Sequence, residues 1–419
     1  MEHVAPSSRT AILTSSSSVS DGARYLQTSS LHGTIQRPVT DALRAHVGAG
    51  NDSVARFFDR VRVGMSGPRA RIVMVGHAIG SLPPYLSALR KSLDVLGVLA
   101  KPKSAQADIL RRVSRHYRTE MLSRTICDSP LLMSDLLDRM TEGKDTILVD
   151  IGGYFSNVPL WRAQGYFQNI KGIVEDTENG HQRYERADLA DMPVISVARS
   201  QTKRLEDWWV GRAIVFSAER LLRQIGDTFH SKRITVLGFG KIGFSIADTL
   251  SRHGYDVSVF DIDPCRRVLA KCLNYRIPDW KTAISRADII FSATGRKALS
   301  VADLQDQKHP TFIFSATSGD DEFDIDLNIL SRSYGEFWEL PKLKDQSGTV
   351  FFASRGNAVN FVDGGEIGKY AHMVQSAILH GIDAVQCGEF KSGEISELTQ
   401  ARENLISRAF IDEFKAADE

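Results

Sequence analysis

The residues Gly238-Phe239-Gly240-Lys241-Ile242-Gly243 follow directly on the apolar run Ile234-Thr235-Val236-Leu237. A strand running into that glycine spacing can hold a pyrophosphate. Gly238 permits the tight turn, Gly240 leaves room for the phosphates, and Gly243 lets the next helix pack on the strand. The free N–H groups of Lys241 and Ile242 then face the phosphate charge at the helix N-terminus. A second apolar run, Val257-Ser258-Val259-Phe260, ends in Asp261, about 20 residues further on. A carboxylate there accepts from both ribose hydroxyls and repels a 2′-phosphate, so the pattern selects NAD over NADP, although Arg266 and Arg267 weaken that preference. Elsewhere Lys203 and Asp207 stand one helical turn apart, a spacing that can grip an alcohol but in most helices is an exposed ion pair. His77, after a buried run, is by default a structural histidine, and Glu175-Asp176 by default a solvated turn.

Several elements must position these groups. Arg71–Val75, Thr146–Ile151, Ile170–Glu175 and Pro193–Val197 read as buried strands closed by turns. Helices are expected at 83–96 and 203–226, the first opened by Pro83 and Pro84. A second alternating unit starts at Arg233, with a helix at 241–253 and strands near 256–260, 288–293 and 311–316. Strand and helix in alternation predict an α/β protein with two doubly wound parallel sheets of Rossmann type, the first domain interrupted by the second. The expected boundaries are a mobile tail at 1–30, a substrate-binding domain at 31–212 plus 363–394, an NAD-binding domain at 213–362, and a C-terminal helix at 395–419. A helical pattern begins near Val39, and Gly364–His380 and Ile395–Phe414 read as further helices. Ser200 and Asn360 fall where the chain crosses between domains and are expected hinges. Trp208-Trp209 reads as packing, Phe351-Phe352 as strand, and Lys101-Pro102-Lys103 with Arg111-Arg112 as a solvated face.

Composition narrows the classes. The 419 residues carry 52 Lys+Arg against 51 Asp+Glu, a net charge of +1, so nothing pulls the chain toward nucleic acid or an anionic bilayer. No apolar stretch reaches the roughly 18 residues needed to span a membrane. The polar, serine-rich N-terminus lacks the order of a secretory signal, which gives the expectation of a cytoplasmic protein. Four scattered cysteines match no disulfide framework or metal signature, and are expected to be reduced and mostly buried. No metal is expected.

The motifs, taken in order, resemble those of the adenosylhomocysteinase family from about Arg71 to Gly381. Leu148-Val149-Asp150-Ile151-Gly152-Gly153 resembles its strand ending in two Asp and two Gly. Gly172–Gly180 resembles its Gly-Ile-Ser-Glu-Glu-Thr-Thr-Thr-Gly signature, and Ser200–Asp207 its Ser-Val-Thr-Lys-Ser-Lys-Phe-Asp. Ser292–Gly295 and Ala358–Phe361 fall where its cofactor contacts sit. The resemblance implies transient oxidation of a nucleoside 3′-hydroxyl by NAD, which acidifies the C4′–H and lets the 5′ substituent leave. It implies that Lys203 and Asp207 hold the 3′-hydroxyl, Asp176 takes the 2′-hydroxyl, and His77 handles a proton near the leaving group. Thr177, Thr294 and Asn360 are then cofactor contacts, and a homo-oligomer is implied.

Departures sort by location. Ile151 replaces the motif's second Asp, Ile79 and Ser81 replace the adenine-reading Thr and Glu, and Arg212 replaces a cysteine near the nicotinamide. Two family histidines are missing near Asp320 and Ile367–Gly368, and a C-terminal Lys and Tyr have no counterpart after Ala409. The expectation is an NAD-dependent, adenosylhomocysteinase-like enzyme acting on a nucleoside or related sugar, with altered base recognition and altered 5′-side chemistry. The alternative is a non-catalytic NAD-binding homologue acting as a sensor or partner subunit. A 2-hydroxyacid dehydrogenase is a weaker third reading, because no suitable late histidine is found.

Overall fold

The computed structural model describes residues 52–342 and 347–414. The tail expected at 1–30, the start of the helical pattern from Val39 and the last residues, 415–419, lie outside the described residues. Seven strands form the first sheet: β1 (Ala70–Gly76), β2 (Leu93–Ala100), β3 (Arg118–Met121), β4 (Thr146–Asp150), β5 (Ile170–Glu175), β6 (Val194–Ser196) and, from the end of the chain, Ile395–Ser396. Every pairing is parallel, and β1 to β6 follow the order 6-5-4-1-2-3. This is the doubly wound order, and its switch point lies between β1 and β4.

The sequence dictates the layers. Along β1, Ile72 and Met74 face one hydrophobic cluster and Val73 and Val75 another, so both faces are covered. One cover is a helix at 52–62, whose Val54, Phe57, Phe58 and Val61 form a single buried stripe. Pro130–Thr141 covers the opposite face through Met133, Leu136, Leu137 and Met140, and a second helix on the first face, Ala371–Gln386, is almost wholly buried. It starts later than the expected 364, because Gly364, Gly365 and Gly368 all hold positive φ and the chain passes through short 3₁₀ turns first.

The second lobe is built on β7 (Ile234–Leu237), β8 (Val257–Phe260), β9 (Ile289–Ser292), β10 (Leu299–Ser300), β11 (Thr311–Ser315), β12 (Phe323–Asp324), β13 (Ser331–Tyr334), β14 (Phe337–Glu339) and β15 (Val350–Ala353). Its main sheet has the order 13-14-15-11-9-7-8, parallel from β15 to β8, with β14 and β13 antiparallel at the edge. The expected wholly parallel sheet is therefore a mixed one. The edge hairpin turns at Gly335, which sits at φ 56. Among the described residues no helix is long and apolar enough to cross a membrane.

Three sequence expectations are corrected. The helix expected at 83–96 ends at Leu89, and Leu93 begins β2, whose alternate residues fill both cores. The terminal helix starts at Gln400, after Ile395–Ser396 pairs with β6, and Thr399 caps it by accepting from the Arg402 N–H at 3.4 Å. Of the four free cysteines only Cys127 is buried.

The helix Gln201–Gln224 joins the lobes. Ile214, Ala218 and Leu222 in its second half belong to the core of the second sheet. Gly211 lets it cross closely over the helix Lys241–Arg252: a β-carbon there would meet the Ser245 side chain at 2.5 Å. Its first two turns carry Lys203, Glu206 and Asp207 to the interlobe cleft.

Candidate active site

The cleft holds about 1470 Å³ and lies at the carboxyl ends of both sheets, where doubly wound folds bind ligands. The turn after β7 and the residues after β9 form its floor on one side. Gly238 takes φ 88, and a β-carbon on it would lie 2.5 Å from the Ala293 carbonyl oxygen. A β-carbon on Gly243 would collide with the Gly238 carbonyl. At Gly240, by contrast, it would meet only Arg266 Nη1 at 3.5 Å, which leaves the space a pyrophosphate needs. Lys241 and Ile242 open the helix with their N–H groups toward the cleft.

Asp261 sits just beyond β8, is 4 % exposed, and accepts from the Phe239 N–H at 2.6 Å and the Asp263 N–H at 2.8 Å. Arg266 approaches it at 3.5 Å. Thr294 gives its hydroxyl to Glu322 at 2.7 Å, and Thr177 caps the helix Glu178–Arg186, so both threonines line the cleft with their hydroxyls already engaged. Asn360 is buried, and its Oδ1 has no hydrogen-bond partner. A buried amide oxygen left unpaired on a cleft wall is suited to an amide-bearing ligand. These residues fit NAD.

Lys203, Asp207 and Asp176, distant in sequence, meet in the cleft. Lys203 Nζ lies 3.3 Å from Asp176, 3.9 Å from Asp207 and in direct contact with Glu206. Glu206, absent from the sequence-based set, is the third carboxylate. Its i,i+3 position on the same helix face is the signal that could have found it. Burial alone would lower the Lys203 ammonium, but Asp176, Glu206 and Asp207 hold it well above its ordinary value. Lys203 therefore rests as a cation rather than as a free amine. Burial, with Asp176 and Asp207 adding repulsion against the pull of Lys203, pushes the Glu206 carboxyl up to about 7. Lys241 extends from the glycine turn to Asp207 at 3.1 Å and the Ala198 carbonyl at 2.6 Å, tying the cofactor turn to the lysine cluster.

His77 follows β1 at the switch point. Its ring stacks on Phe361 at 4.9 Å and Nδ1 shares a hydrogen bond with Ser104 at 2.5 Å. Burial, then Lys101 and Lys203, hold it well below its ordinary value, so it is neutral at pH 7. Ile79 and Ser81 line the same end of the cleft. Beside them stands Glu366, which accepts from the Gly80 and Ser81 N–H groups and is raised by burial, a carboxylate the sequence did not single out.

The remaining wall departs from expectation. Ile151 is 8 % exposed and joins the apolar cluster behind β4. Lys101, read as solvated, turns into the cleft and donates to the Ile151 carbonyl at 3.1 Å. It does so because the chain after β2 runs across the switch point, not over the surface.

Fold and site define a two-lobed α/β protein that binds NAD between doubly wound sheets. Residues 218–367 match the family model described as S-adenosyl-L-homocysteine hydrolase, NAD binding domain. The chain is 26% identical to an adenosylhomocysteinase of Thermotoga maritima over 290 residues, 67% of this chain and 70% of that one. Both comparisons make the chain similar to the adenosylhomocysteinases, with the family model confined to residues 218–367. Among solved structures it resembles a phosphoglycerate oxidoreductase from Vibrio cholerae (TM-score 0.42, 13% identity, covering 76% of this chain and 99% of that one). It also resembles an NAD-complexed D-isomer specific 2-hydroxyacid dehydrogenase from Lactobacillus delbrueckii (TM-score 0.30, 14% identity, 61% and 73%).

Proposed function

We infer that this chain is an NAD-dependent enzyme that oxidises one hydroxyl of a vicinal diol on a nucleoside or related sugar, with base recognition and 5′-side chemistry altered from those of its relatives. The observation that carries this reading is the convergence of Lys203, Asp176, Asp207 and Glu206 beside the cofactor turn. NAD, when bound, supplies the hydride acceptor; Gly238, Gly240, Gly243, Asp261 and Asn360 are the residues suited to hold it.

The protein groups divide the remaining work. Lys203, as an ammonium, donates to a diol oxygen and stabilises the negative charge that develops as its proton leaves. Asp176 and Asp207 accept from the hydroxyls and fix their direction. Glu206, poised near neutrality, takes the proton that a permanently charged lysine cannot. His77 is neutral and offers a proton acceptor at the far end of the cleft. Enclosure between the lobes keeps water from a reactive ketone. Ile151 cannot transfer a proton, so any 5′-side step must draw its acid or base from another residue.

Purified protein saturated with NAD should form NADH when offered a panel of ribonucleosides and ribosides. Lys203→Ala should lose at least about a hundredfold in that rate while keeping bound NAD, and Asp207→Asn should lose activity without removing the buried amine. Undiminished NADH formation in Lys203→Ala would remove the lysine from the mechanism. Bound NAD with no reduction by any diol would instead favour the non-catalytic reading, which the replacements at Ile79, Ser81 and Ile151 support.

A further inference from the structure

We propose that Lys101 and Arg124, converging over Gly152, form a subsite for a compact oxyanion, so that the diol substrate is a phosphorylated or carboxylated sugar derivative. The substrate class rests on the diol-oxidation reading; the anion subsite does not.

The geometry is specific. Arg124 Nη1 donates to the Gly152 carbonyl at 3.0 Å, and its guanidinium stacks over the Tyr154 ring at 3.9 Å. Lys101 is fixed from the other side by the Ile151 carbonyl at 3.1 Å. A β-carbon on Gly152 would lie 3.4 Å from Arg124 Nη2 and 3.6 Å from Lys101 Nζ. Both nitrogens therefore converge above the Gly152 α-carbon, close enough together for one oxyanion to span them. Gly152 holds φ 113, where a side chain is strained, so the chain itself keeps the space open.

Two of the three nearby carboxylates are committed elsewhere. Asp150 accepts from the Tyr154 and Phe155 N–H groups at 3.0 and 2.9 Å and from the Tyr184 hydroxyl at 2.7 Å. Glu175 accepts from the Gly152 and Gly153 N–H groups at 3.0 and 2.9 Å and from Thr177. Asp321, from the second lobe, pairs with Arg183 at 2.9 Å and stands 3.9 Å from Arg124. Among the described residues no carboxylate lies within ion-pair distance of Lys101. Burial first, then Arg124, brings its ammonium down to about 8 against the opposing pull of Glu175, Asp321 and Asp150. A half-buried cation held beside a second cation is costly unless an anion completes it. The pair spacing and the guanidinium fork suit phosphate or carboxylate oxygens. The same wall lacks the acid that its motif would place at residue 151, and an acid there would repel such a group.

The test uses the full chain saturated with NAD, so that the glycine turn is occupied. Calorimetry compares methyl ribofuranoside, its 5-phosphate and its 5-carboxylate, with inorganic phosphate as the minimal probe. At least one anionic riboside should bind about tenfold or more tightly than the neutral one, and Lys101→Gln and Arg124→Gln should each remove most of that gain without loss of NAD. The tighter of the two anions identifies the class. Affinity for the preferred anion should weaken from about pH 7.5 to about 9.5 as Lys101 loses its proton, while phosphate stays a dianion. His77 and Tyr154 also face Lys101, but neither becomes positively charged over that range. Lys101→Arg should keep the affinity flat. Equal binding of all three ribosides, or unchanged affinity in both glutamine variants, overturns the subsite. Because binding is read without turnover, tight anion binding with no NADH leaves the subsite standing and removes the oxidation reading. NADH formed from the neutral riboside, with the two anionic ribosides binding no more tightly than it, does the reverse.

Discussion

At the scale of single residues, Glu206 decides how the lysine cluster can act. A lysine surrounded by three carboxylates keeps its proton, so in the proposed reaction the hydroxyl's proton needs another acceptor. Glu206 is the one whose carboxyl is moved toward neutrality, from 4.5 to about 7. The linkage has a definite sign. Between those two values the folded chain holds a proton that the unfolded chain has released, so this group's contribution to stability falls as pH rises through the window and levels off above it. Glu206→Gln removes the titration. The melting temperature of wild type relative to the variant should therefore drop between about pH 4.5 and about 7 and stay constant above. Substrate-dependent NADH formation should slow in the variant and lose its ionisation near neutrality. An unchanged rate profile would show that Glu206 only balances the charge of Lys203.

At the scale of elements, the start of the helix Gln201–Gln224 carries the site. Ser200 caps it by accepting from the Lys203 N–H at 3.1 Å, and Glu403 from the C-terminal helix accepts from the Gln201 N–H at 3.2 Å. Ser200→Ala should cost about 1 kcal/mol, read as a lower denaturation midpoint, with a further loss of NADH formation because Lys203 is the residue so anchored. A stability loss without any change in rate would mean that Glu403 and packing alone hold the first turn. This helix was legible in the sequence, as were β1, β4, β5, β7 and the glycine turn, because each shows a clear apolar period closed by a distinctive residue. The lysine, its i+4 aspartate and Asp176 were legible as candidates only through motif order. Part of what was not legible came from one misread boundary. Leu93–Ala100 continues the apolar density of the preceding helix, and nothing local separates a buried strand from a buried helix in so short a run. With the start of β2 read as helix, Lys101 was placed on the surface; with β2 in the sheet, the next residue enters the switch point. Glu366 was hidden for another reason: its role depends on meeting the Gly80–Ser81 backbone from almost 300 residues away.

At the scale of the whole molecule, polar bridges among the described residues link the two sheets, and several fall at or beside the residues assigned to binding. Lys241 of the second lobe reaches Asp207, Lys103 reaches Ser318 at 3.3 Å, and Asp321 faces Arg183 and Arg124 together. Asp321 is the internal counter-charge of the proposed anion subsite and also a clasp between lobes. An arriving anion would compete with it for Arg124, which links substrate binding to release of the clasp. Asp321→Asn separates these roles. It should strengthen binding of the preferred anionic riboside, since Arg124 no longer has a competing carboxylate. It should also speed dissociation of NADH about fivefold, the equivalent of roughly 1 kcal/mol for a partly exposed pair. Stopped-flow fluorescence reads the second effect. Raising ionic strength should bring the wild-type rate toward that of the variant, because the Asp321 pairs are partly exposed and therefore screened. If both rates stay equal at low salt, the clasp does not govern opening. If anion affinity falls instead of rising, Asp321 orients Arg124 rather than competing for it.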